Sequence, residues 1–368
     1  MAVMEEHEAT GERAATPPSC PMSLRISQMA AMLNAELADH PVYDGLELQR
    51  FDDTQHGHGM VAFLSRRDDR TVDYYVERGL RLDPKMYGIG GGTRSWNEVD
   101  FPVAILEVSG DGVAAEMTFT DVDGRLIEIA IDDRDGNARS RGALLAPVGA
   151  GIDRPGSLML VWMPQFDLVR DVPDQAPMIK IDGEDVSVGR LPGAAVHRRH
   201  LIKYAAPLQV VEFNRDMDAP ATSGGPGEAD LSESGTEVSA LTAKAGAHVA
   251  RVAFRPHFPD LRRLDAGEER SGEWRIGVDG RTLTGGTWTA VGAVDRAEVH
   301  LRVTRKWRPR SLPLLMRAVT TAMPVFRRWP TSYSWHATLP TLGGPMRSRW
   351  ERSGDGHNGE SYRRATGS

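Results

Sequence analysis

The chain has 368 residues with 44 basic and 51 acidic side chains, so its formal net charge is −7. This length is sufficient for two domains that each bury a core, and the composition excludes a fully disordered, collagen-like or coiled-coil protein. A single cysteine, Cys20, excludes an intramolecular disulfide framework and a metal site built of several thiolates. The mild acidity argues against nucleic acid as a partner of the whole molecule.

The charge is unevenly distributed along the chain. From Leu301 to the end there are thirteen Arg and Lys residues against three acids, so residues 1–300 carry 31 basic and 48 acidic side chains. An asymmetry of this size indicates a surface for anionic partners near the C terminus.

The N-terminal stretch has neither the basic start nor the apolar run of a secretory signal, and no window has the apolar length of a membrane span. These observations predict a cytoplasmic protein, with peripheral membrane association as a refinement. We expect residues 1–22 and 343–368 to be disordered tails, with Cys20 in the first of them.

The ordered part of the chain is predicted to begin with a short amphipathic helix, because apolar residues recur at roughly helical spacing over residues 23–38. After Tyr43 the apolar period approaches two, which is typical of strands. The predicted strands of this first half are 45–51, 59–66, 71–77, 102–108, 113–119, 125–131, 157–163, 178–182 and 196–204.

Turn signals connect several of these strands. The dipeptides Asp182-Gly183 and Asp279-Gly280, and the run from Asp121 to Gly124, supply the positive φ that tight hairpins need. Many short strands with little helix predict an all-β protein.

A polar stretch rich in Gly, Ser and Pro, residues 215–247, predicts a flexible linker. It separates a β-domain over 23–214 from a second β-domain over 248–342. Further strands are predicted at 248–254, 273–278, 286–291 and 297–304. We therefore expect two tandem antiparallel barrel or sandwich domains.

The two halves share an ordered pattern. Trp162, Pro164, Phe166 and Asp167-Leu168 precede the linker, and the same order of residue types returns from Phe254 to Asp260-Leu261. In both halves an Asp-Gly turn and an Arg-Arg-x4-Tyr string follow. Three matches in one order predict a diverged internal duplication.

In strand density, duplication and length, residues 42–340 resemble the two-domain lipocalin-like proteins, the group that contains carotenoid hydratases and AttH-type proteins. The resemblance implies a barrel that can hold an apolar ligand. It carries no motif that would assign a role to a particular residue.

Two histidines, His56 and His58, are spaced to share one face of a strand beside Asp52 and Asp53. With a third histidine such as His197 or His200 they could bind a divalent metal, but we favour a polar turn and predict no metal or cofactor. In an enzyme, His56, His58 and Asp167 would be the candidates for acid–base catalysis.

Asp167 and Asp260 occupy equivalent places in the repeat. Either carboxylate could act as a base if it were buried. We favour the alternative that each Asp caps a turn where its strand leaves the sheet.

A helix is predicted at 311–323, with an apolar face formed by Leu314, Leu315, Ala318, Val319, Ala322 and Met323. Basic residues and a tryptophan flank it, namely Arg308, Arg310, Arg327, Arg328 and Trp329. Such a helix could lie on an anionic membrane surface. The alternative, which we favour, is a helix that closes one barrel mouth with its apolar face in the core.

The function predicted from these features is binding of an apolar small molecule or lipid, with loading at a membrane surface as a refinement. The predicted wall residues are Trp96, Trp162, Phe166 and Phe258. One alternative is a cofactor-independent hydratase, isomerase or cyclase that acts on a terpenoid or polyketide-like substrate. Another is a fully packed structural or partner-binding protein.

Overall fold

The computed structural model describes residues 18–87, 91–146, 155–173, 175–191, 193–215, 219–220, 228–307, 312, 314–322, 329–340 and 345–352. Strands dominate these residues, which form two β-domains and so confirm the all-β prediction. The helical segments are short: α1 (Ala194–His197), α2 (Leu314–Ala322) and the 3-10 turns Pro84–Met86 and Leu261–Arg263.

The first domain contains a ten-stranded sheet. Its strands are β1 (Leu24–Met29), β2 (Ala31–Glu36), β3 (Tyr43–Asp53), β4 (Gly57–Arg66), β5 (Val72–Glu77), β6 (Thr93–Val99), β10 (Gly142–Ala146), β11 (Leu158–Arg170), β14 (Arg199–Ala205) and β15 (Leu208–Phe213). The strand order is β1-β15-β11-β14-β2-β3-β4-β5-β6, and β10 pairs with β11. All pairs are antiparallel except β5 with β6, which are parallel.

A five-stranded antiparallel sheet packs against the ten-stranded sheet. Its strands are β7 (Val103–Ser109), β8 (Gly112–Thr120), β9 (Leu126–Asp132), β12 (Met178–Ile181) and β13 (Glu184–Asp185), in the order β13-β12-β9-β8-β7. The core between the two sheets includes Leu33, Leu48, Met117, Ile129 and Tyr204, none of which is more than 2% exposed.

The second domain is a nine-stranded sheet in which β17 to β24 follow one another in chain order, with β16 on the outer side of β24. Such a meander is typical of up-and-down antiparallel folds. Its strands are β16 (Ala219–Pro220), β17 (Glu228–Leu231), β18 (Glu237–Ala245), β19 (His248–Pro259), β20 (Glu269–Val278), β21 (Arg281–Gly292), β22 (Arg296–Arg305), β23 (Tyr333–Pro340) and β24 (Pro345–Arg352).

The predicted hairpins are confirmed. Strands β8 and β9 pair around the 121–124 turn, β12 and β13 pair around Asp182-Gly183, and β20 and β21 pair around Asp279-Gly280. Asp182 and Asp279 both have positive φ, 56° and 49°, as do the glycines that follow them.

Four local predictions differ from the structure. The helix predicted at 23–38 is the pair of strands β1 and β2. The predicted linker contains β16, β17 and β18, and the predicted C-terminal tail contains β24. In the expected N-terminal tail, Cys20 packs against the largest core cluster, because residues 18–22 run along that core.

Candidate functional site

One face of the ten-stranded sheet brings a polar group into apolar surroundings. Asn34 pairs with Glu47, Glu47 with Phe63, Phe63 with Tyr74, and Tyr74 with Trp96. Directly paired residues of neighbouring strands project to the same side of a sheet, as do residues two apart on one strand. We call this surface the Glu47 face and define it by Asn34, Glu47, Gln49, Phe63, Tyr74 and Trp96.

The apolar part of the Glu47 face is covered. Phe63 is 3% exposed and Tyr74 is fully buried. Leu80, Leu82 and Tyr87 pack over them from the segment between β5 and β6. Because the other side of these strands faces the core with the five-stranded sheet, this part of the sheet is buried on both sides.

The same side of the sheet continues as an apolar surface through β14 to β11. There Phe166 and Leu168 form a cluster with Leu312 and with Met316 of helix α2. Met29 packs against this cluster and also against the cluster around Phe63.

Helix α2 therefore packs on the sheet, and it does so through residues outside the predicted apolar face. Met316 and Thr320 are buried, whereas Leu314, which the predicted apolar face contained, is 81% exposed.

Glu47 is partly buried, and two amides hold its carboxylate. The Nδ2 of Asn34 donates to one oxygen over 3.1 Å, and the Nε2 of Gln49 donates to the other over 2.6 Å. Gln49 is 5% exposed, and its Oε1 is a buried acceptor without a hydrogen-bond partner among the described residues.

The surroundings of Glu47 disfavour its charged form. Removal from water raises the pKa of Glu47 from 4.5 to about 7, although the two amides and the Lys203 ammonium act in the opposite direction. Burial also raises the pKa of Tyr87, with further contributions from Tyr74 and the Glu47 carboxylate. A carboxyl group that titrates near neutrality can bind or release a proton under ordinary conditions.

The four predicted wall residues do not meet. Trp96 and Phe166 lie on the same side of the ten-stranded sheet, at opposite ends of it. Trp162 and Phe258 belong to the largest core cluster, where Phe258 packs against Trp288 with ring centroids 5.1 Å apart. We retain Trp96 and Phe166 as candidates for the Glu47 face.

The two predicted histidines are each held by an aspartate of the β3–β4 hairpin. His56 Nδ1 lies 2.9 Å from Asp53 Oδ2, and His58 Nδ1 lies 2.5 Å from Asp52 Oδ1. Among the described residues no group of three or more His, Cys, Asp or Glu side chains could hold a metal ion. This arrangement matches the polar turn of the favoured interpretation.

Asp167 lies apart from both histidines. Four strand spacings, or about 19 Å along the sheet, separate β11 from β4. The Asp167 carboxylate accepts from the Leu168 amide over 2.9 Å and from Arg170 Nη2 over 3.1 Å. Asp260 caps the 3-10 turn after β19, as predicted. Asp167 lies within β11, so the turn cap predicted there is wrong.

Of the five residues predicted at a membrane surface, Arg308, Arg310, Arg327 and Arg328 lie outside the described residues. Trp329 is 6% exposed and belongs to the largest core cluster. Its indole is therefore buried, and the prediction that it lies at a membrane surface is wrong. Neither helix in the described part of the chain has the length and apolar character needed to cross a membrane.

Comparison with known proteins gives no relative. No protein-family model, no curated protein and no solved structure matches the chain. The geometry of the site is therefore the basis for a functional proposal.

Glu47 and Gln49 are not among the residues predicted from the sequence. In the run Leu46-Glu47-Leu48-Gln49 the alternation is typical of a strand with one solvated face. The burial of the second face comes from distant segments, so the local pattern contains no signal of it.

Proposed function

We propose that this protein binds an apolar small molecule or lipid against the Glu47 face, with the ligand displacing the Leu80, Leu82 and Tyr87 side chains that cover it. The observation that carries the proposal is the Glu47 carboxyl group, which is removed from water beside an aromatic and aliphatic surface. Small-molecule sites are commonly apolar surfaces with a few placed polar groups. The curled sheets and the apolar continuation towards Phe166 support a binding surface of that kind.

The experiment is a titration of delipidated protein with the neutral apolar fluorophore diphenylhexatriene. Val61 pairs with Gln49 and is fully buried among the apolar side chains of the face. Val61→Trp adds bulk there and is expected to weaken binding by about tenfold or more. Ile105→Trp, at a position 41% exposed on β7, is the matched control and should bind as the wild type does.

Circular dichroism establishes that both variants are folded. The proposal fails if the wild-type protein does not bind the fluorophore, or if Val61→Trp binds it as tightly as the control. If the wild-type protein binds the fluorophore, extraction and mass spectrometry of protein from its own host would identify the natural ligand.

A second candidate is a cofactor-independent isomerase or hydratase, which the pKa of Glu47 near 7 favours. A general acid or base works best when its pKa lies near the operating pH. Glu47 would then replace His56, His58 and Asp167 as the acid–base candidate. Glu47→Gln removes the ionisable group and keeps the size of the side chain, so loss of turnover with retained fluorophore binding would support this function.

Membrane loading remains a proposal for the region around helix α2. Its supporting observation is Leu314, which projects from the helix 81% exposed. Binding to vesicles that contain anionic lipid should fall when Arg327 and Arg328 are both replaced by Glu. Absence of binding, or binding unchanged by the replacement, would contradict it.

A further inference from the structure

The amide of Gln49 has one unused hydrogen-bonding atom. Its Nε2 is directed at Glu47 by the 2.6 Å contact, so the Oε1 points away from that carboxylate. The residues paired with Gln49 on the two neighbouring strands are Met32 and Val61, neither of which has a side-chain donor. A buried acceptor without a partner is unfavourable, so a donor from outside the described residues would be favoured here.

The ionised form of Glu47, which predominates above its pKa of about 7, fixes the orientation of this amide. A carboxylate only accepts hydrogen bonds, so both amides must present their NH₂ groups to it. The Gln49 oxygen is therefore left as an acceptor, and the group that complements it is a hydrogen-bond donor.

The charges around the pair select the kind of donor. A carboxylic acid ligand would bring a second negative charge to Glu47, and the Lys203 ammonium is engaged by Glu36 at 2.5 Å. An ammonium ligand would have to leave water for apolar surroundings. A neutral hydroxyl group carries neither penalty.

We propose that the ligand of the Glu47 face is an apolar molecule with a hydroxyl group, and that this hydroxyl donates its hydrogen to Oε1 of Gln49. The inference rests on the proposed apolar binding function and specifies the polar group of the ligand. It makes Gln49 a specificity residue that distinguishes an alcohol from the corresponding ether or hydrocarbon.

The test is displacement of diphenylhexatriene by four ligands with the same alkyl chain: 1-dodecanol, dodecyl methyl ether, dodecanoate and dodecylamine. The wild-type protein should bind the alcohol about tenfold more tightly than the ether, because the ether oxygen has no hydrogen to donate. In Gln49→Met, which keeps the side-chain length, the alcohol and the ether should bind equally. Gln55→Met, in the exposed β3–β4 turn, should keep the wild-type preference.

Each outcome decides the inference. Equal binding of alcohol and ether by the wild type overturns it, as does tighter binding of dodecanoate or dodecylamine. Retention of the preference for the alcohol in Gln49→Met also overturns the inference. In each of these cases the proposed function stands as long as the wild-type protein binds the fluorophore. If Gln49→Met does not fold, the wild-type comparison of alcohol with ether decides alone. If the wild type does not bind the fluorophore, the proposed function fails and the inference fails with it.

Discussion

Glu47 links the candidate site to the stability of the fold. Its pKa is about 7 in the folded protein and 4.5 when unperturbed. Between these values the folded state binds the proton more tightly than the unfolded state does. The free energy of unfolding should therefore decrease by about 3 kcal/mol as the pH rises from 4.5 to 7.

We expect Glu47→Gln to remove this contribution to the pH dependence. The variant should unfold like the wild type below pH 4.5 and be more stable above pH 7, by up to about 3 kcal/mol. Urea denaturation at several pH values measures the difference. Glu116→Gln, at an exposed position of β8, is the control and should leave the profile unchanged; an identical profile for both variants would contradict the prediction.

Cys20 is expected to be unreactive in the folded protein. Burial raises the pKa of its thiol from 9.0 to about 12, and only the thiolate reacts with disulfide reagents. Labelling by dithionitrobenzoate at pH 8 should be at least about tenfold slower than in denaturant, because the raised pKa lowers the thiolate fraction. Equal labelling rates in buffer and in urea would show that the thiol is accessible.

At the scale of single elements, strand β1 contacts both domains. It pairs with β15 of the ten-stranded sheet, and Leu24 and Ile26 lie in the cluster that the nine-stranded sheet forms. Leu24 is 1% exposed. Leu24→Ala should therefore lower the free energy of unfolding by about 2–5 kcal/mol, measured by urea denaturation. Ser27→Ala, on the alternate face of β1, should change it by less than about 1 kcal/mol; a similar loss for both would contradict the role of the Leu24 side chain.

The elements that the sequence predicts well are those with local turn chemistry. The Asp-Gly pairs require a backbone conformation that few residues adopt, so the hairpins at 182–183 and 279–280 follow from the sequence alone. The strands next to them have an apolar period of two, and their positions agree with the structure to within a few residues.

The helix predicted at 23–38 shows where local patterns are insufficient. The buried positions alternate as Leu24 and Ile26, and then as Ala31, Leu33, Ala35 and Leu37. The first series falls on even-numbered positions and the second on odd-numbered positions, with the change at Ala30. Because of this shift, the two alternating patterns together resemble helical spacing. The sheet pairing that separates β1 from β2 comes from residues more than 160 positions away, and no local pattern encodes it.

At the scale of the whole molecule, the two domains share one core. Phe213 of β15 packs against Trp274 of β20 with ring centroids 5.2 Å apart. The Trp350 indole donates to the Asn214 carbonyl over 2.5 Å, and the Ser19 amide donates to Asp260 over 2.9 Å. The nine-stranded sheet thus packs on strands of the first domain.

We therefore expect one cooperative unfolding transition for the full chain. Differential scanning calorimetry should give a single peak whose calorimetric and van't Hoff enthalpies agree. Phe213→Ala should shift the whole peak to lower temperature, because its ring contributes to the core of both domains. Two separate peaks, only one of which moves in the variant, would show that the domains unfold independently.

The pairing of β1 with β15 also affects how the protein is made. Leu24 pairs with Phe213, so β1 has no hydrogen-bonding partner in the ten-stranded sheet until about 190 further residues have left the ribosome. At roughly 5–20 residues per second this interval lasts about 10–40 s. During that time an apolar strand remains open to other nascent chains, and a chaperone that binds near the N terminus would protect it until the first domain is complete.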